Sequence, residues 1–400
     1  MDDIKIEELL FRNVDTVLPS KESFIELIKS GKNLKVYHGI DPTGDTLHIG
    51  HYSALIKMKH LQELGFEVII VIGGMTATIG DPDKINVRKQ LTVAEVEENA
   101  KKIRKQVEKI ISFEGPNPAK MVNNYDWLSK LNFEDIIKLG SYITHDQMIE
   151  RDMFQQRIKN NQPIYMHEFM YPLMQGYDSV ELEVDCEFGG SDQLFNMMMG
   201  RTLLKRMKNK EKFVVTVPLL TDNEGKKIGK TTGNVIPFGN DIPYESYAGV
   251  MTLPDDVIIK CFVAITNVSL EEISIMETDM VKNKANPIIY KKLLAYTLVK
   301  EVYGEDEAKK CQEEFERTVQ NKEFSEELKK EVSLNENTNV FEFLKSNLGE
   351  TLSNSEIKKI IEQNGLEVNG NKVRELNFIL NVGDEVKFGK KNYFKIIWTN

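Results

Sequence analysis

The stretch "DPTGDTLHIGHYSALIKMKHLQELG", residues 41–65, lies between two segments typical of β-strands. The segment before it, "LKVYHGI" at 34–40, is rich in β-forming residues. The segment after it, "FEVIIVIGG" at 66–74, is a continuous apolar run of the kind buried in parallel sheets. Strand, loop, helix and strand in this order predict a βαβ unit. Because ligands of such sheets bind beyond the carboxyl ends of the strands, the loop after the first strand is the first candidate for a binding site.

The composition is typical of a soluble globular protein without a membrane partner. Of the 400 residues, 41% are hydrophobic and 28% charged, and the length allows two or three domains. No apolar run approaches the roughly 18 residues that cross a bilayer, and the acidic N-terminal segment is unlike a signal peptide. Three widely spaced cysteines, Cys186, Cys261 and Cys311, indicate reduced thiols and lack metal-site spacing. These features predict a cytoplasmic protein.

Charge is distributed unevenly along the chain. The net charge is −10, so binding to nucleic acid through the whole surface is excluded, and no DNA partner is expected. Residues 351–400 hold eight Lys and Arg against six Asp and Glu, a net of +2, which leaves −12 for the other 350 residues. The polar, apolar-poor stretch "NKEFSEELKKEVSLNENTNV" precedes this segment and predicts a linker. Any RNA contact should therefore be local.

The loop at residues 41–48 has the features of an anion site. Its first five residues are turn-forming, and Asp45 or Thr46 can cap a helix that starts near Leu47. A helix N-terminus offers unpaired N–H groups and a partial positive charge to phosphate. Gly50 would let a planar base approach the backbone, while donors around a polyphosphate and a sugar would come from Thr43, His48 and His51. The alternative is a capped surface helix with two incidental histidines.

A second glycine-rich loop, "TDNEGKKIGKTTGN" at 221–234, follows the buried-strand pattern "FVVTVPLL". It contains Lys226, Lys227 and Lys230. Lysines are flexible point charges suited to phosphates, and glycines would let the loop close over them. The alternative is a solvated basic hairpin.

A polar stripe interrupts the otherwise apolar segment "YMHEFMYPLMQGYD" at 165–178. Tyr171, Gln175 and Asp178 share one face of a helix, an arrangement that suits a small polar ligand or, alternatively, a satisfied seam between helices. Pro172 predicts a helix start or kink nearby. The segment "FGGSDQLFN" at 188–196 then places further polar residues at the end of another strand.

Two of these segments resemble the signatures of class I aminoacyl-tRNA synthetases. "HIGH" at 48–51 resembles their His-Ile-Gly-His signature, and "KIGKT" at 227–231 resembles Lys-Met-Ser-Lys-Ser, with both lysines and a final hydroxyl retained. The pieces "YHGIDPTGDTLHIGH", "YPLMQGYD" and "GGSDQ" resemble the tyrosine-specific bacterial branch. The resemblance implies activation of L-tyrosine by ATP to tyrosyl-AMP and pyrophosphate, followed by transfer of tyrosine to the 3′ end of tRNA(Tyr).

The same resemblance implies a role for each site residue. The tyrosine substrate would be contacted by Tyr37, Asp81, Tyr171, Gln175, Asp178 and Gln193. Of these, Tyr37 and Asp178 would contact the phenol hydroxyl. The α-ammonium group would be held by Asp81, Tyr171 and Gln175, and Gln193 would lie near the carboxylate. ATP would be bound by Asp41, Gly50, Gly190, Asp192 and Lys230, with Asp192 on the ribose. The catalytic groups around the phosphates would be Thr43, His48, His51, Lys227, Lys230 and Thr231. Mg²⁺ would accompany the polyphosphate, and no protein metal site is expected.

The resemblance also implies an α/β architecture with three parts. A Rossmann-type parallel-sheet catalytic domain would span residues 1–235, with an inserted segment at about 115–190 that carries a homodimer interface. A helical tRNA-binding domain would follow at 236–335, where the sequence reads as amphipathic helices. After a linker at 336–350, residues 351–400 resemble a small α+β RNA-binding domain shared with a ribosomal protein.

Three alternatives share some of these features. A tryptophan-specific synthetase has the same fold, but Tyr37 and Asp178 look paired to read a hydroxyl group. A non-catalytic RNA-binding relative would not need both phosphate signatures. A simple nucleotidyltransferase would leave the C-terminal RNA-binding segment without a purpose.

Overall fold

The structure is a computed structural model that describes most of the chain. The described residues are 6, 11–81, 91–222, 225, 227–228, 235–282, 285–320, 329–334, 338–349, 352–389 and 392–397. They divide into two compact units, Met1–Tyr303 and Gly304–Asn400. Within the described ranges, no helix is long and apolar enough to cross a membrane.

The first unit is built on a six-stranded sheet. Its strands are β1 (Thr16–Leu18), β2 (Lys35–Ile40), β3 (Glu67–Ile72), β4 (Lys120–Asn123), β5 (Cys186–Gly190) and β6 (Phe213–Val217). Their spatial order is β1-β6-β5-β2-β3-β4. All neighbours are parallel except β1, which runs antiparallel to β6 at the edge. The prediction of a Rossmann-type parallel sheet is confirmed.

The direction of strand addition reverses between β2 and β5. Strands β3 and β4 extend the sheet on one side of β2, and β5 and β6 extend it on the other. The two central strands pair through Val36 with Cys186 and Tyr37 with Glu187. A crevice beyond the carboxyl ends of two such strands is the usual ligand site of this topology.

Helices connect the strands of this sheet, and further helices follow its last strand along the chain. Before β5 they are α1 (Lys21–Lys29), α2 (Ile49–Glu63), α3 (Thr76–Ile79), α4 (Val93–Val107), α5 (Tyr125–Leu128), α6 (Phe133–Gly140), α7 (His145–Ile149), α8 (Asp152–Lys159) and α9 (Met166–Leu182). After β5 a 3₁₀ turn (Ser191–Gln193) leads into α10 (Leu194–Lys208). The helices that follow β6 are α11 (Pro243–Met251), α12 (Ile258–Ile265), α13 (Leu270–Lys282) and α14 (Pro287–Tyr303), with a 3₁₀ turn (Asp255–Val257) before α12. The predicted helical content after the sheet is confirmed, whereas the domain borders stay predictions.

Helix α9 begins at Met166, near Pro172 as predicted, and continues through this proline. Pro172 lies inside the helix and is buried. Proline removes one backbone donor but does not forbid a helix when tertiary packing compensates. Here α9 packs along α10 through Leu173 and Val180, which belong to one buried apolar cluster with Leu203. The stripe of Tyr171, Gln175 and Asp178 therefore lies on one continuous helix.

The second unit is a small α+β fold. It contains α15 (Glu305–Phe315), a π-helical turn (Glu316–Gln320), α16 (Val340–Leu348) and α17 (Asn354–Glu362). Its strands are β7 (Lys329–Ser333), β8 (Leu366–Val368), β9 (Asn371–Lys372), β10 (Glu385–Phe388) and β11 (Asn392–Ile397), in the order β7-β11-β10-β8-β9. The Asn369-Gly370 pair between β8 and β9 adopts positive φ angles of 52° and 78°, as a tight hairpin turn requires. The predicted α+β character is confirmed.

The prediction of a linker over residues 336–350 is wrong for its second half. Residues 340–348 form α16, which begins with Asn339 capping the N–H of Glu342 at 2.9 Å. Phe343 and Leu344 are buried in the core of the second unit. The polar residues before residue 340 suggested a linker, but they precede a short amphipathic helix that packs against the sheet of the second unit.

Candidate active site

One cavity of about 590 Å³ lies at the reversal point of the sheet. All the predicted site residues that the structure describes line it: Tyr37, Asp41, Thr43, His48, Gly50, His51, Asp81, Tyr171, Gln175, Asp178, Gly190, Asp192, Gln193 and Lys227. The other two, Lys230 and Thr231, lie outside the described residues. The structure thus brings the two signatures and the polar stripe together, while the role of each side chain stays a prediction.

The two signature histidines cap the helix that they introduce. Helix α2 begins at Ile49, and its N-cap is His48, not Asp45 or Thr46 as predicted. Nδ1 of His48 accepts a hydrogen bond from the N–H of Gly50 at 3.1 Å. Nδ1 of His51 accepts one from the N–H of His48 at 3.2 Å. An imidazole nitrogen that accepts carries no hydrogen, so the hydrogen-bond pattern assigns the hydrogen of each neutral ring to Nε2.

The rings are also held in place against each other. Their centroids are 3.7 Å apart and the planes are nearly parallel. A Cβ on Gly50 would lie 3.0 Å from Cε1 of His48, so a side chain at this position would press on the ring. Capping, stacking and the glycine together present two Nε2–H donors beside a helix N-terminus, an arrangement suited to phosphate oxygens.

Tyr37 and Asp178 form the buried end of the cavity. They are 1% and 3% exposed. Asp178 accepts hydrogen bonds from Nε1 of Trp127 at 2.8 Å and Nδ2 of Asn124 at 3.2 Å. Burial raises the pKa of Asp178, and these two donors oppose the rise. Burial, and then the negative charges of Glu187 and Asp178, raise the pKa of Tyr37, which therefore remains a neutral phenol.

Tyr171 and Thr76 fix the carboxylate of Asp41 at the end of β2. The Tyr171 hydroxyl donates to Oδ2 of Asp41 at 2.7 Å, and the Thr76 hydroxyl donates to Oδ1 at 2.7 Å. Burial, followed by the charges of Asp41 and Asp81, raises the pKa of Tyr171. Its phenol stays protonated and links helix α9 to the end of β2 through Asp41.

Asp81 is held by two donors. Nη2 of Arg151 lies 2.5 Å from one carboxylate oxygen, and Nε2 of Gln193 lies 2.8 Å from the other. Arg151 and Asp81 are both buried, so their charges compensate each other away from water. Arg151 was not predicted, because nothing in the sequence around it marks a site residue.

Lys227 brings the second signature to the open rim. Its ammonium lies 2.8 Å from Oδ2 of Asp192, which follows the end of β5. Both side chains are partly exposed. Lys227 of the second glycine-rich loop therefore meets the "GGSDQ" segment at one edge of the cavity.

Several other residues around the cavity were not predicted. Asn124 and Trp127 lie in the segment "NNYDWL" at 123–128, to which no role was assigned from the sequence. Glu187 had a usable signal, since a carboxylate inside the apolar strand "CEFGG" needs a partner. His38 is buried, lines the cavity and bonds through Nδ1 to the carbonyl of Phe188 at 2.8 Å.

Comparisons with known proteins agree with this geometry. Residues 29–320 match the family described as tRNA synthetases class I (W and Y). A tyrosine–tRNA ligase of Carboxydothermus hydrogenoformans is 39% identical, with 100% of this chain and 99% of that protein covered. One of Thermotoga maritima is 37% identical over 97% and 96% of the two chains. The chain belongs to the class I tyrosyl-tRNA synthetases. The family expected from the sequence motifs is confirmed.

Residues 342–386 match the S4 domain, the small RNA-binding fold expected at the C-terminus of this synthetase. Among solved structures, a C-terminally truncated mitochondrial tyrosyl-tRNA synthetase of Aspergillus nidulans aligns with a TM-score of 0.65 at 22% identity, covering 79% of this chain and 94% of that one. The tyrosyl-tRNA synthetase of Archaeoglobus fulgidus, solved with L-tyrosine, gives 0.59 at 20% identity over 78% and 100%. At these identities the structural matches support the shared fold alone.

Proposed function

We propose that the protein is a tyrosine–tRNA ligase, which activates L-tyrosine with ATP and then esterifies the 3′ end of tRNA(Tyr). The observation that carries the proposal is a single cavity with two opposite ends. Its buried end holds Tyr37 and Asp178, a pair suited to a phenol hydroxyl. Its other end holds the His48 and His51 donors at a helix N-terminus, suited to phosphates. The relatives that match the full length support the same reaction.

In the first step a carboxylate oxygen of tyrosine attacks the α-phosphorus of ATP. A mixed anhydride bond forms, the bond between the α- and β-phosphates breaks, and pyrophosphate leaves with its electron pair. No covalent bond to the protein is needed, so catalysis comes from alignment and from stabilising charge on phosphate oxygens. The Nε2–H groups of His48 and His51 supply neutral donors, and Lys227 and Lys230 supply positive charge to the leaving group.

The amino acid would be aligned by both of its polar ends. A phenol can donate to Asp178 while accepting from Tyr37, so the hydroxyl of the substrate satisfies both groups. The α-ammonium group can donate to Asp81, to the oxygen of Tyr171 and to the amide oxygen of Gln175. Gln193, which bonds to Asp81, would lie near the substrate carboxylate. Asp192 would bind the ribose, and Gly50 and Gly190 would leave room for the nucleotide.

Magnesium would enter with ATP. Among the residues that the structure describes, no three carboxylate, histidine or cysteine side chains are grouped to hold a metal ion. Mg²⁺ is commonly bound by one or two carboxylates, substrate phosphates and water, which fits an open rim with Asp192 nearby. When bound, the ion would neutralise phosphate charge.

Pyrophosphate exchange with each of the twenty amino acids tests the proposal. Tyrosine alone should drive ATP–pyrophosphate exchange, and the loaded tRNA should carry tyrosine. Exchange with tryptophan and none with tyrosine would assign the chain to the other specificity of its family. Absence of exchange with every amino acid would favour a non-catalytic RNA-binding role. We propose a cytoplasmic location because the three widely spaced cysteines, Cys186, Cys261 and Cys311, are free thiols, as expected in a reducing compartment.

Substitution of two C-terminal lysines should weaken tRNA charging selectively. Lys359 and Lys372 are exposed on the S4 unit, far in sequence from the cavity residues. If each contacts an RNA phosphate, replacing both with Gln should lower kcat/KM for tRNA about tenfold and reduce the slope of log affinity against log salt by about 2. Tyrosine-dependent exchange should stay at the wild-type rate. Unchanged charging at every salt concentration would contradict an RNA-binding role for these two lysines.

We also propose a homodimer formed through the segment at 115–190. Phe133 and Ile137 are 79% and 61% exposed and lie four residues apart on α6, and Met166 at the start of α9 is 74% exposed. Large apolar side chains this exposed often mark an interface, and two-fold dimers are the commonest oligomers.

The double substitution Phe133→Asp with Ile137→Asp should convert the dimer to a monomer. Desolvating two carboxylates against an apolar partner surface opposes association. Light scattering at micromolar concentration should give twice the mass of one chain for the wild type and the single-chain mass for the variant. Substitution of exposed Ile275 on α13, outside this segment, should leave the mass unchanged. A monomeric wild-type protein would contradict the proposal.

A further inference from the structure

We infer that a buried ion pair, Lys212 with Glu187, positions the two side chains that receive the tyrosine substrate, Tyr37 and Gln175. Lys212 does not line the cavity, and it acts mainly through Glu187 and Ser179, while its ammonium also lies over the Tyr37 ring, 5.8 Å from the centroid. The inference rests on the proposed function and adds Lys212 and Glu187 to it as positioning residues. The hydrogen bonds that lead from Lys212 through Ser179 and Glu187 to the cavity are called the relay below.

The pair is fully enclosed by the first unit. Lys212 is 0% exposed and Glu187 is 2% exposed. The ammonium of Lys212, just before β6, donates to Oε2 of Glu187 on β5 and to Oγ of Ser179 on α9, the latter at 2.9 Å. Removing two charges from water opposes folding, so stability alone does not account for the pair. The contacts of the pair explain its presence better, because Glu187 and Ser179, which Lys212 holds, contact the cavity residues Gln175 and Tyr37 respectively.

The first branch of the relay reaches Tyr37. Oγ of Ser179 lies 3.0 Å from the Tyr37 hydroxyl. An ammonium only donates, so Ser179 accepts from Lys212 and can give its own hydrogen to the oxygen of Tyr37. The hydrogen of Tyr37 can then be given to a ligand or to Glu187. Tyr37 and Glu187 are also direct partners in the pairing of β2 with β5. Glu187 attracts the same hydrogen, and Lys212 limits this competition by neutralising the carboxylate.

The second branch reaches Gln175. Its Nε2 donates to Oε1 of Glu187 at 3.1 Å. Because an amide has its oxygen on the side opposite its nitrogen, this bond turns Oε1 of Gln175 away from Glu187. That oxygen is the atom that can accept from the α-ammonium group. One buried pair therefore sets the orientation at both ends of the amino-acid pocket.

The neighbouring helix is shaped to admit this pair. A Cβ on Gly200 of α10 would lie 2.6 Å from both Nζ of Lys212 and Oγ of Ser179. Any larger residue at position 200 would displace the ammonium or the hydroxyl. A glycine at the point of closest approach keeps the relay at hydrogen-bonding distance.

The test compares the Michaelis constants for tyrosine and ATP in pyrophosphate exchange. In Lys212→Met, Glu187 becomes an uncompensated buried charge beside the pocket, and we expect KM for tyrosine to rise about tenfold. In Ser179→Ala, only the link to Tyr37 is cut, and we expect a rise of about threefold to tenfold. KM for ATP should stay within about twofold in both.

A matched control lies two residues away. Lys210 pairs with Asp185 at 2.8 Å, on the same two segments, but its side chain is 32% exposed and neither residue lines the cavity. Lys210→Met should leave both Michaelis constants unchanged. The double variant Lys212→Met with Glu187→Gln removes both charges and retains a polar partner for Gln175, so it should recover most of the affinity for tyrosine.

The outcomes separate the inference from the function on which it rests. A selective rise in KM for tyrosine, with recovery in the double variant, supports the positioning role. Wild-type constants in both Lys212→Met and Ser179→Ala, or equal increases for tyrosine and ATP, would overturn it. If Lys212→Met fails to fold, Ser179→Ala decides. Failure of the proposed function is a different result, in which the wild-type chain shows no tyrosine-dependent exchange.

Discussion

Phenylalanine is expected to drive pyrophosphate exchange about 10⁴–10⁵-fold less efficiently than tyrosine, when the two amino acids are compared by kcat/KM. This ratio is the one known for the enzyme family, and the structure supplies its physical reason but not its size. The physical reason is visible at the buried end of the cavity. Tyr37 and Asp178 are both buried there, and a substrate without a hydroxyl would exclude water while offering neither of them a hydrogen bond in return. Comparing kcat/KM for the two amino acids in the exchange assay gives the ratio directly.

Asp178→Ala should reduce this discrimination by about 100-fold, because it removes the acceptor of the substrate hydroxyl. The loss should come mainly from tyrosine, since phenylalanine makes no bond to this carboxylate. Asp126→Ala provides a control, because Asp126 is an exposed carboxylate on α5 beside Trp127. Efficient exchange with phenylalanine by the wild-type chain would contradict the assigned role of this pair.

The sheet was predictable because its central strands are continuous apolar runs, and such runs are typical of buried strands. "FEVIIVIGG" could be stable only as a buried strand or buried helix, and the flanking βαβ pattern selected the strand. The cavity residues were predictable for a related reason. Most of them lie in short motifs at strand ends or helix starts, where the topology of a parallel sheet brings distant segments to one edge.

Other features depend on partners that no local pattern reveals. Arg151 reaches Asp81 across 70 positions, and Lys212 reaches Glu187 across 25. Neither basic residue belongs to a motif, so only folding brings it to its carboxylate. Helix α16 was missed for another reason. Its apolar face packs under the sheet of the second unit, whereas the polar residues before it suggested a linker.

The N-cap of α2 was also mispredicted, and the correction has a functional consequence. Asp, Thr, Ser and Asn are the usual caps, so Asp45 and Thr46 were the expected residues. The observed cap is His48, whose Nδ1 accepts from the helix backbone, so the hydrogen of the neutral ring is on Nε2. If Nε2 acts on the phosphates as proposed, one ring combines a structural atom and a catalytic atom, and suitable substitutions can separate them.

His48→Asn should lower the rate of tyrosyl-AMP formation about 10²–10³-fold while keeping the protein as stable as the wild type. Oδ1 of Asn can take the place of Nδ1 as the acceptor for the N–H of Gly50, because Asn is among the best N-caps. It provides no donor at the position of Nε2, and loss of one donor to developing phosphate charge has an effect of this size. Single-turnover kinetics would measure the rate, and urea unfolding would measure the stability.

His48→Ala and His48→Gln complete the comparison. Ala lacks both atoms, so it should show the same rate loss and a further decrease of about 1 kcal/mol in the free energy of unfolding. Gln carries an amide N–H at a distance along the side chain similar to that of imidazole Nε2, so it should retain more of the rate than Asn. Wild-type rates in His48→Asn would refute a role for Nε2 in the chemistry. Equal rate losses in Ala, Asn and Gln would mean that the amide of Gln does not place its N–H where Nε2 lies, whereas wild-type rates in all three would mean that the capped, stacked geometry of the two histidines serves only the helix.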